Sequence, residues 1–325
     1  MKKFKLSILF VLIATVSLFA QEDKEFKASG KAFAKIFTNF HTGIGSANDN
    51  QGFELQRAYF GYKYNFAKGF TGKITFDVGN PANNSKLENT AYIKNALINW
   101  KEGNVSVDFG LIGTKAFKIQ EKFWGYRYFF KSFQDQNKYN SSADMGASVT
   151  YKLSDKLSID GIITNGEGYK SLQSDNKYLY GAGITYKVNR LTLRAYADMK
   201  DKNDENLENQ NTIALFAGYK AKSFSVGAEY NMLSSYKFAD KHDMTGFSIY
   251  STYKASKKIN IFGRYDQAQS KDDWNESKDG STIIAGFEYT PNKHIKIAPN
   301  MQMFNPKKDG SSTETYAYLS LQIAF

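Results

Sequence analysis

Residues 312–325 read STETYAYLSLQIAF. From residue 317 onward every second side chain is apolar, and the polar Ser320 and Gln322 stand between them. A period of two residues is that of a β-strand with one apolar face and one face in water. The segment therefore predicts a strand with Phe325 on its apolar face. The apolar positions are Ala317, Leu319, Leu321, Ile323 and Phe325.

The beginning of the chain has the features of a secretory signal peptide. Lys2, Lys3 and Lys5 precede an apolar run over residues 6–19, and Ala20 followed by Gln21 offers a cleavage point. The run is shorter than the roughly 20 apolar residues of a membrane-spanning helix. We expect residues 1–20 to be removed and residues 21–325 to form the folded protein.

The composition favours an exported protein rich in strands. Aromatic residues make up 16% of the chain, Pro occurs only four times, and no later apolar run has the length of a membrane helix. The absence of Cys excludes a disulfide framework. The formal net charge is +11, but the chain has no basic recognition motif, so we expect no nucleic-acid partner.

Sixteen segments alternate as strands do, and most have the length of about 10 residues that crosses a bilayer at a tilt. Short turns follow every second segment, and longer polar loops follow the others. This asymmetry is that of an all-β, antiparallel transmembrane barrel with its short turns in the periplasm. The predicted strands are 28–42, 52–65, 69–79, 88–101, 104–115, 141–153, 156–165, 177–187, 190–200, 210–221, 223–232, 243–254, 258–267, 280–290, 294–304 and 312–325.

An aromatic residue stands just before each short turn and again at the chain end. Successive members of the series are 36, 51, 35, 33, 34, 36 and 36 residues apart, so one hairpin is the repeating unit and one hairpin carries an insertion. Aromatic side chains that return to one end of every second strand form a girdle at a membrane interface. The series is Tyr64, Trp100, Tyr151, Tyr186, Tyr219, Tyr253, Tyr289 and Phe325.

The two faces of the segments differ in polarity. Apolar residues such as Phe70 and Phe109 occupy one face, and carboxylates such as Asp77 and Asp108 occupy the other. Burying those carboxylates in a dry interior costs several kcal/mol each, so we predict that the apolar face meets lipid and the charged face a water-filled lumen. Lys94 departs from this pattern, which indicates either a β-bulge or a local error in the face assignment.

The insertion covers residues 116–140, AFKIQEKFWGYRYFFKSFQDQNKYN. Its aromatic content predicts that this third outer loop folds inward against the lumen wall; a contact between copies of a trimer is the alternative. Six basic and two acidic residues between positions 115 and 138 predict a cationic constriction that favours anions. The predicted constriction residues are Lys115, Lys118, Lys122, Arg127 and Lys131, and the predicted lumen-wall cations are Arg57, Lys73, Arg194 and Arg264.

The long third loop and two short segments, FELQRAYFG at residues 53–61 and FWGYRY at residues 123–128, resemble the general and phosphate-selective outer-membrane porins, especially the O/P family. The resemblance implies a homotrimeric, water-filled pore in which lumen Arg and Lys pass phosphate, with Arg57, Arg194 and Arg264 as counterparts in kind. Lumen acids such as Asp77 depart from a purely cationic wall. The terminal Phe325 resembles the signal that the barrel assembly machinery reads.

We therefore expect a passive outer-membrane channel, surrounded by outer-membrane lipid, for small hydrophilic solutes, with a preference for anions that extends to phosphate-like ones. We predict no catalytic residue, cofactor or metal site, because His41, His242 and His294 stand far apart and lack metal-ligand spacing. Two alternatives remain open. One is a structural or adhesive barrel that acts through its outer loops, and the other is a barrel hydrolase that uses His41 and a nearby Ser.

Overall fold

The computed structural model describes residues 26–79, 89–202 and 204–325. Each strand pairs antiparallel with the next along the chain, and the first pairs with the last, so the sheet closes into a barrel of sixteen strands as predicted. The predicted signal peptide lies outside the described residues. The strands are β1 (Ser29–Ile44), β2 (Gln51–Ala67), β3 (Phe70–Gly79), β4 (Thr90–Glu102), β5 (Val105–Gly113), β6 (Ala143–Lys152), β7 (Leu157–Thr164), β8 (Leu179–Val188), β9 (Leu191–Lys200), β10 (Gln210–Lys220), β11 (Phe224–Ser234), β12 (Met244–Lys254), β13 (Ile259–Ser270), β14 (Gly280–Asn292), β15 (Ile295–Pro306) and β16 (Glu314–Ala324).

The segment 312–325, which contains β16, closes the barrel. Strand β16 pairs with β15 on one side and with β1 on the other. Beyond β16, the Phe325 N–H donates to the Ala34 carbonyl at 3.1 Å, and the Ala34 N–H donates to the Phe325 carbonyl at 2.8 Å. Within β16, Leu319 is 50% exposed on the outer face, whereas Ser320 is buried on the inner one. The alternation in the sequence therefore matches the two faces of the wall.

The outer face is apolar, and the aromatic girdle lies on it. Exposed side chains of the outer wall include Phe109, Ile249 and Leu319. Seven of the eight predicted girdle residues are well exposed, and Trp100 is partly exposed. Because each girdle residue faces away from the lumen at the short-turn end of its strand, the predicted ring is confirmed. The exposed members are Tyr64, Tyr151, Tyr186, Tyr219, Tyr253, Tyr289 and Phe325.

A β-bulge in β4 explains why Lys94 departs from the predicted alternation of apolar and polar faces. Asn95 pairs with Thr75 and Ile93 pairs with Phe76, so Lys94 is the extra residue of the pair. The bulge turns Lys94 into the lumen, where its ammonium lies 3.6 Å from the Asp77 carboxylate. Of the two explanations offered by the sequence, the bulge is the correct one.

Helices are few and short among the described residues. Two α-helices, α1 (Lys118–Trp124) and α2 (Phe133–Gln136), lie in the connection between β5 and β6. None of the helices in the described part of the chain has the length and apolar character needed to cross a bilayer. Three 3-10 turns lie in other connections: Gly45–Ala47, Tyr236–Phe238 and Lys271–Asp273.

Candidate functional site in the barrel interior

The segment 116–140, which carries both α-helices, contacts the opposite side of the barrel. The Tyr128 hydroxyl donates to the Glu288 carboxylate of β14 at 3.0 Å. The Tyr250 hydroxyl of β12 donates to the Gln120 carbonyl at 3.2 Å. Strands β12 and β14 lie across a sixteen-stranded ring from β5 and β6, where the segment begins and ends. The segment therefore crosses the interior of the barrel.

An aromatic cluster fixes the segment against the inner wall. Trp124 is 1% exposed and lies 5.6 Å from the Tyr250 ring and 6.2 Å from the Phe262 ring, in edge-to-face geometry. Tyr126 packs on Phe262 at 4.4 Å. Such contacts between aromatic rings stabilise a loop by more than the burial of its apolar surface alone. The prediction of a charged inner face is therefore wrong for this part of the wall, because the aromatic segment needs an apolar surface on which to pack. The inward apolar wall residues are Phe37, Phe216, Tyr250, Phe262, Ile284 and Ala298.

Arg264 of β13 is a buried anchor for the segment. Its guanidinium makes two hydrogen bonds of 2.7 Å to the Asp266 carboxylate and a third of 2.8 Å to the Lys131 carbonyl. The same group lies over the rings of Trp124 and Phe130, at 5.0 and 5.1 Å. The Arg264 side chain is 0% exposed, and its charge is neutralised by Asp266. Arg264 therefore holds the loop from a buried position.

Arg194 of β9 holds the start of the segment in the same way. Its guanidinium binds both Asp160 oxygens, at 2.7 and 2.9 Å, and donates to the Lys115 carbonyl at 3.0 Å. Arg194 and Arg264 were both predicted to be lumen-wall cations. Both point inward, but each is buried and paired, so they position the segment more than they charge an open channel.

One cation of β2 and one of β4 gather around a buried carboxylate of β3. Asp77 lies 3.3 Å from Arg57 and 3.6 Å from Lys94, and it accepts a hydrogen bond of 3.2 Å from Tyr169. Arg57 also donates to the Tyr92 hydroxyl at 2.7 Å. The predicted wall residue Lys73 lies apart from this cluster, with its ammonium 5.7 Å from the Phe33 ring.

We expect the change Lys94→Met to lower the free energy of unfolding by about 1–3 kcal/mol, because the Asp77 carboxylate then loses one of its two cations in a buried setting. Urea titration of the purified barrel in lipid measures the effect. The control is Lys35→Met, since Lys35 is an exposed lysine on the neighbouring wall of β1. Equal midpoints for the two variants would contradict the role assigned to the bulge.

The five predicted constriction cations take different positions. Lys115 pairs with Asp108 at 3.3 Å, Lys118 pairs with Glu121 at 3.3 Å, and Arg127 lies 3.3 Å from Asp135 and 3.7 Å from Glu121. Lys122 is exposed and Lys131 is partly buried; neither takes part in an ion pair with a described residue. Burial lowers the pKa of Lys131 below that of an exposed lysine.

A cavity of about 290 Å³ lies between the segment and the wall of β2. Arg57, Arg127 and Lys131, all three predicted from the sequence as lumen cations, line it together. Lys138 and Lys170 also line it and were not among those predicted; Lys170 belongs to the connection between β7 and β8 and stacks over Tyr92 at 4.7 Å. No local pattern could have placed Lys170 there. The acidic residue of this lining is Asp135.

A second cavity, of about 770 Å³, lies toward the longer connections. Its lining includes Tyr236, Trp274 and Tyr316. Lys131 and Lys138 line both cavities, so the cationic lining continues from one to the other.

The three histidines do not form a site together. His242 stacks on Trp274 at 4.3 Å, His41 lies within hydrogen-bonding distance of Asn39 and Asn50, and the His294 ring lies 2.7 Å from the Ala324 carbonyl. Across residues 26–79, 89–202 and 204–325, no group of three or more His, Asp or Glu side chains is arranged to hold a metal ion.

The closed sixteen-stranded wall, apolar outside and crossed inside by an aromatic segment, is that of a bacterial outer-membrane porin. The chain belongs to the OmpL-like β-barrel porin-2 family, whose model matches residues 138–325, more than half of the chain. It is a protein of the bacterial outer membrane. No curated protein matches the sequence. The narrower resemblance to the O/P porins stays a prediction.

Solved structures share the fold at low sequence identity. Salmonella typhi OmpF, in complex with daunomycin, is 16% identical, with a TM-score of 0.69 over 91% of this chain and 97% of OmpF. The outer-membrane channel DcaP of Acinetobacter baumannii is 14% identical, with a TM-score of 0.68 over 94% and 100% of the two chains. An anion-selective porin from Comamonas acidovorans is 11% identical, with a TM-score of 0.69 over 92% and 100%.

Proposed function

We propose that the protein is a passive channel for small hydrophilic solutes, with a preference for anions. The observation that carries the proposal is the cavity of about 290 Å³ beside the segment 116–140, whose lining holds five cations and one carboxylate. Two of the cations, Arg57 and Arg127, also pair with Asp77 and Glu121, so the excess of positive charge rests mainly on the lysines. A narrow lumen with low-dielectric walls concentrates the field of such a lining and raises the local concentration of anions. The segment 116–140 acts as the constriction, and its aromatic cluster keeps the cations in place.

Phosphate-like anions are the substrates that we propose within this preference. Guanidinium and ammonium groups both bind phosphate oxygens, and Arg57, Arg127 and Lys131 bring both kinds to one cavity. The resemblance to the O/P porins supports the same choice. We further propose that copies of the chain assemble as a homotrimer and that the barrel assembly machinery reads the end of β16 and Phe325.

Reversal potentials in a salt gradient test the selectivity. We expect the purified channel in planar bilayers to prefer chloride to potassium, and the double change Arg127→Gln with Lys131→Gln to reduce the permeability ratio severalfold, because two of the five lining cations are lost. The control is Lys308→Gln, an exposed lysine of the last long connection. Cation preference in the unchanged protein would reject the anion proposal.

The pH dependence gives a second measure of the same site. Because the pKa of Lys131 is lowered by burial, its positive charge is lost at a lower pH than that of exposed lysines. The anion preference of the unchanged protein is therefore expected to fall as the pH rises into the alkaline range. In the single variant Lys131→Gln, which lacks this titrating group, the fall is expected at a higher pH.

One observation favours a second function. The aromatic cluster around Trp124 fills part of the interior with side chains from β1, β10 and β12 to β15. A barrel closed in this way would act through its outer loops, as a structural or adhesive protein. Single-channel recording separates the two functions: regular conductance steps support the channel, and their absence from correctly folded protein supports the closed barrel.

A further inference from the structure

The short-turn end of the barrel carries a concentration of positive charge, which we call the basic rim. It consists of the last two residues of each strand that runs toward a short turn, together with the turn that follows. Twelve basic residues and two acidic ones occupy these positions. In five consecutive hairpins a lysine directly follows the girdle aromatic. These lysines are Lys101, Lys152, Lys187, Lys220 and Lys254.

Six of the basic side chains in the rim are exposed and can reach a partner. The five lysines and Arg190, in the turn between β8 and β9, are all exposed. None of the ion pairs among the described residues involves any of these six side chains. Within the part of the chain that the structure describes, no ion pair therefore neutralises their charge.

The opposite end of the barrel has no such excess, because its eight longer connections together contain seventeen acidic and sixteen basic residues. Five of them, after β7, β9, β11, β13 and β15, contain thirteen acidic and nine basic residues. The positive charge of the chain is thus concentrated at one end. In barrels of this kind the short turns lie on the periplasmic side, so the basic rim meets the inner leaflet of the outer membrane.

One point of the rim forms a concave site on the lipid side. Val188, Asn189, Arg190, Leu191 and Tyr219 line a depression of about 470 Å³. Tyr219 is a girdle residue on the outer wall, and Leu191 pairs with it across β9 and β10. The depression therefore combines an aromatic ring and an aliphatic side chain at membrane depth with a guanidinium at the water boundary.

We propose that the basic rim binds the phosphate groups of anionic phospholipids in the inner leaflet, and that the depression at Arg190 and Tyr219 seats one such lipid. Its acyl chains lie along Leu191 and Tyr219, and its phosphate accepts hydrogen bonds from Arg190. Basic residues next to a membrane attract anionic lipids, and girdle aromatics sit at the depth of the headgroups. A passing solute has no reason to contact the outer wall, so the position of the depression favours a lipid.

Tryptophan fluorescence can report on this depression alone. The chain has three Trp residues, of which Trp124 is buried in the interior and Trp274 packs on His242 in a long connection. A variant with Trp100→Phe and Tyr219→Trp therefore has one Trp on the lipid-facing wall, at the depression. Vesicles that contain phosphatidylcholine or phosphatidylglycerol with brominated acyl chains quench that Trp when the lipid occupies the site.

We expect phosphatidylglycerol to bind at the reporter about fivefold more tightly than phosphatidylcholine in low salt. The preference should disappear in 1 M salt, where the screening length is about 3 Å, and in Arg190→Gln, but persist in the control Lys308→Gln. Equal binding of the two lipids, or a preference that survives Arg190→Gln, would overturn the proposal. So would sedimentation with peptidoglycan that depends on Arg190 in the absence of any lipid preference.

A second reporter covers the case in which the Tyr219→Trp variant does not fold. Trp100 of the unchanged chain is itself a girdle residue and precedes Lys101. The same titration on the unchanged protein and on Lys101→Gln should show a preference for phosphatidylglycerol that Lys101→Gln reduces. No preference in the unchanged protein would overturn the proposal as well.

Discussion

The change Arg264→Met is expected to destabilise the barrel by about 3–5 kcal/mol, because it leaves the Asp266 carboxylate buried without its partner. The side chains of Arg264 and Asp266 are 0% and 6% exposed, so water cannot replace the lost hydrogen bonds. The Lys131 carbonyl also loses its donor. The segment 116–140 should therefore loosen, and the channel should show more frequent changes of conductance.

Urea unfolding in lipid vesicles measures the loss of stability, and single-channel recording measures the loosening. The matched control is the double variant Arg264→Met with Asp266→Leu, in which the charge of Asp266 is removed together with that of Arg264. Because replacing a buried ion pair by apolar side chains is often nearly neutral, most of the stability should return. If the double variant is as unstable as the single one, the ion pair is not the reason for the effect.

Removal of residues 116–140 is expected to increase the single-channel conductance severalfold and to weaken the selectivity. The segment fills part of the interior and carries Arg127, Lys131 and Lys138 of the cationic cavity. A lumen of sixteen strands without it is wide enough for water and small solutes. Its removal should therefore leave a wide and less selective pore.

The geometry of the strands makes this deletion feasible. Gly113 of β5 pairs with Ala143 of β6, and the Thr114 N–H donates to the Ser142 carbonyl at 3.2 Å. A turn of a few Gly and Ser residues can therefore join residues 115 and 141. The control is a deletion within the last long connection, residues 308–312, which should leave the conductance unchanged. A conductance that stays the same in both deletions would refute the constriction.

The local pattern of apolar and polar residues was enough to predict the wall of the barrel. Every strand was predicted within about three residues of its observed bounds, because a period of two is a local property that lipid on one side and polar lumen on the other impose on each strand. The girdle series followed for the same reason. The hairpin that carries the insertion was equally visible, since one step of 51 residues stands among steps near 35.

The contacts inside the wall could not be predicted from local sequence, because they depend on how the chain closes in three dimensions. That Arg264 binds Asp266 and the loop carbonyl of Lys131, and that Lys170 joins Arg57 at one cavity, depends on strands and loops distant in sequence that the closed ring brings together. Alternation assigns a residue to the inner face but does not say whether it meets water, a carboxylate or an aromatic ring. Closure of the barrel fixes those neighbours, and with them the difference between a cation that charges the channel and one that anchors its loop.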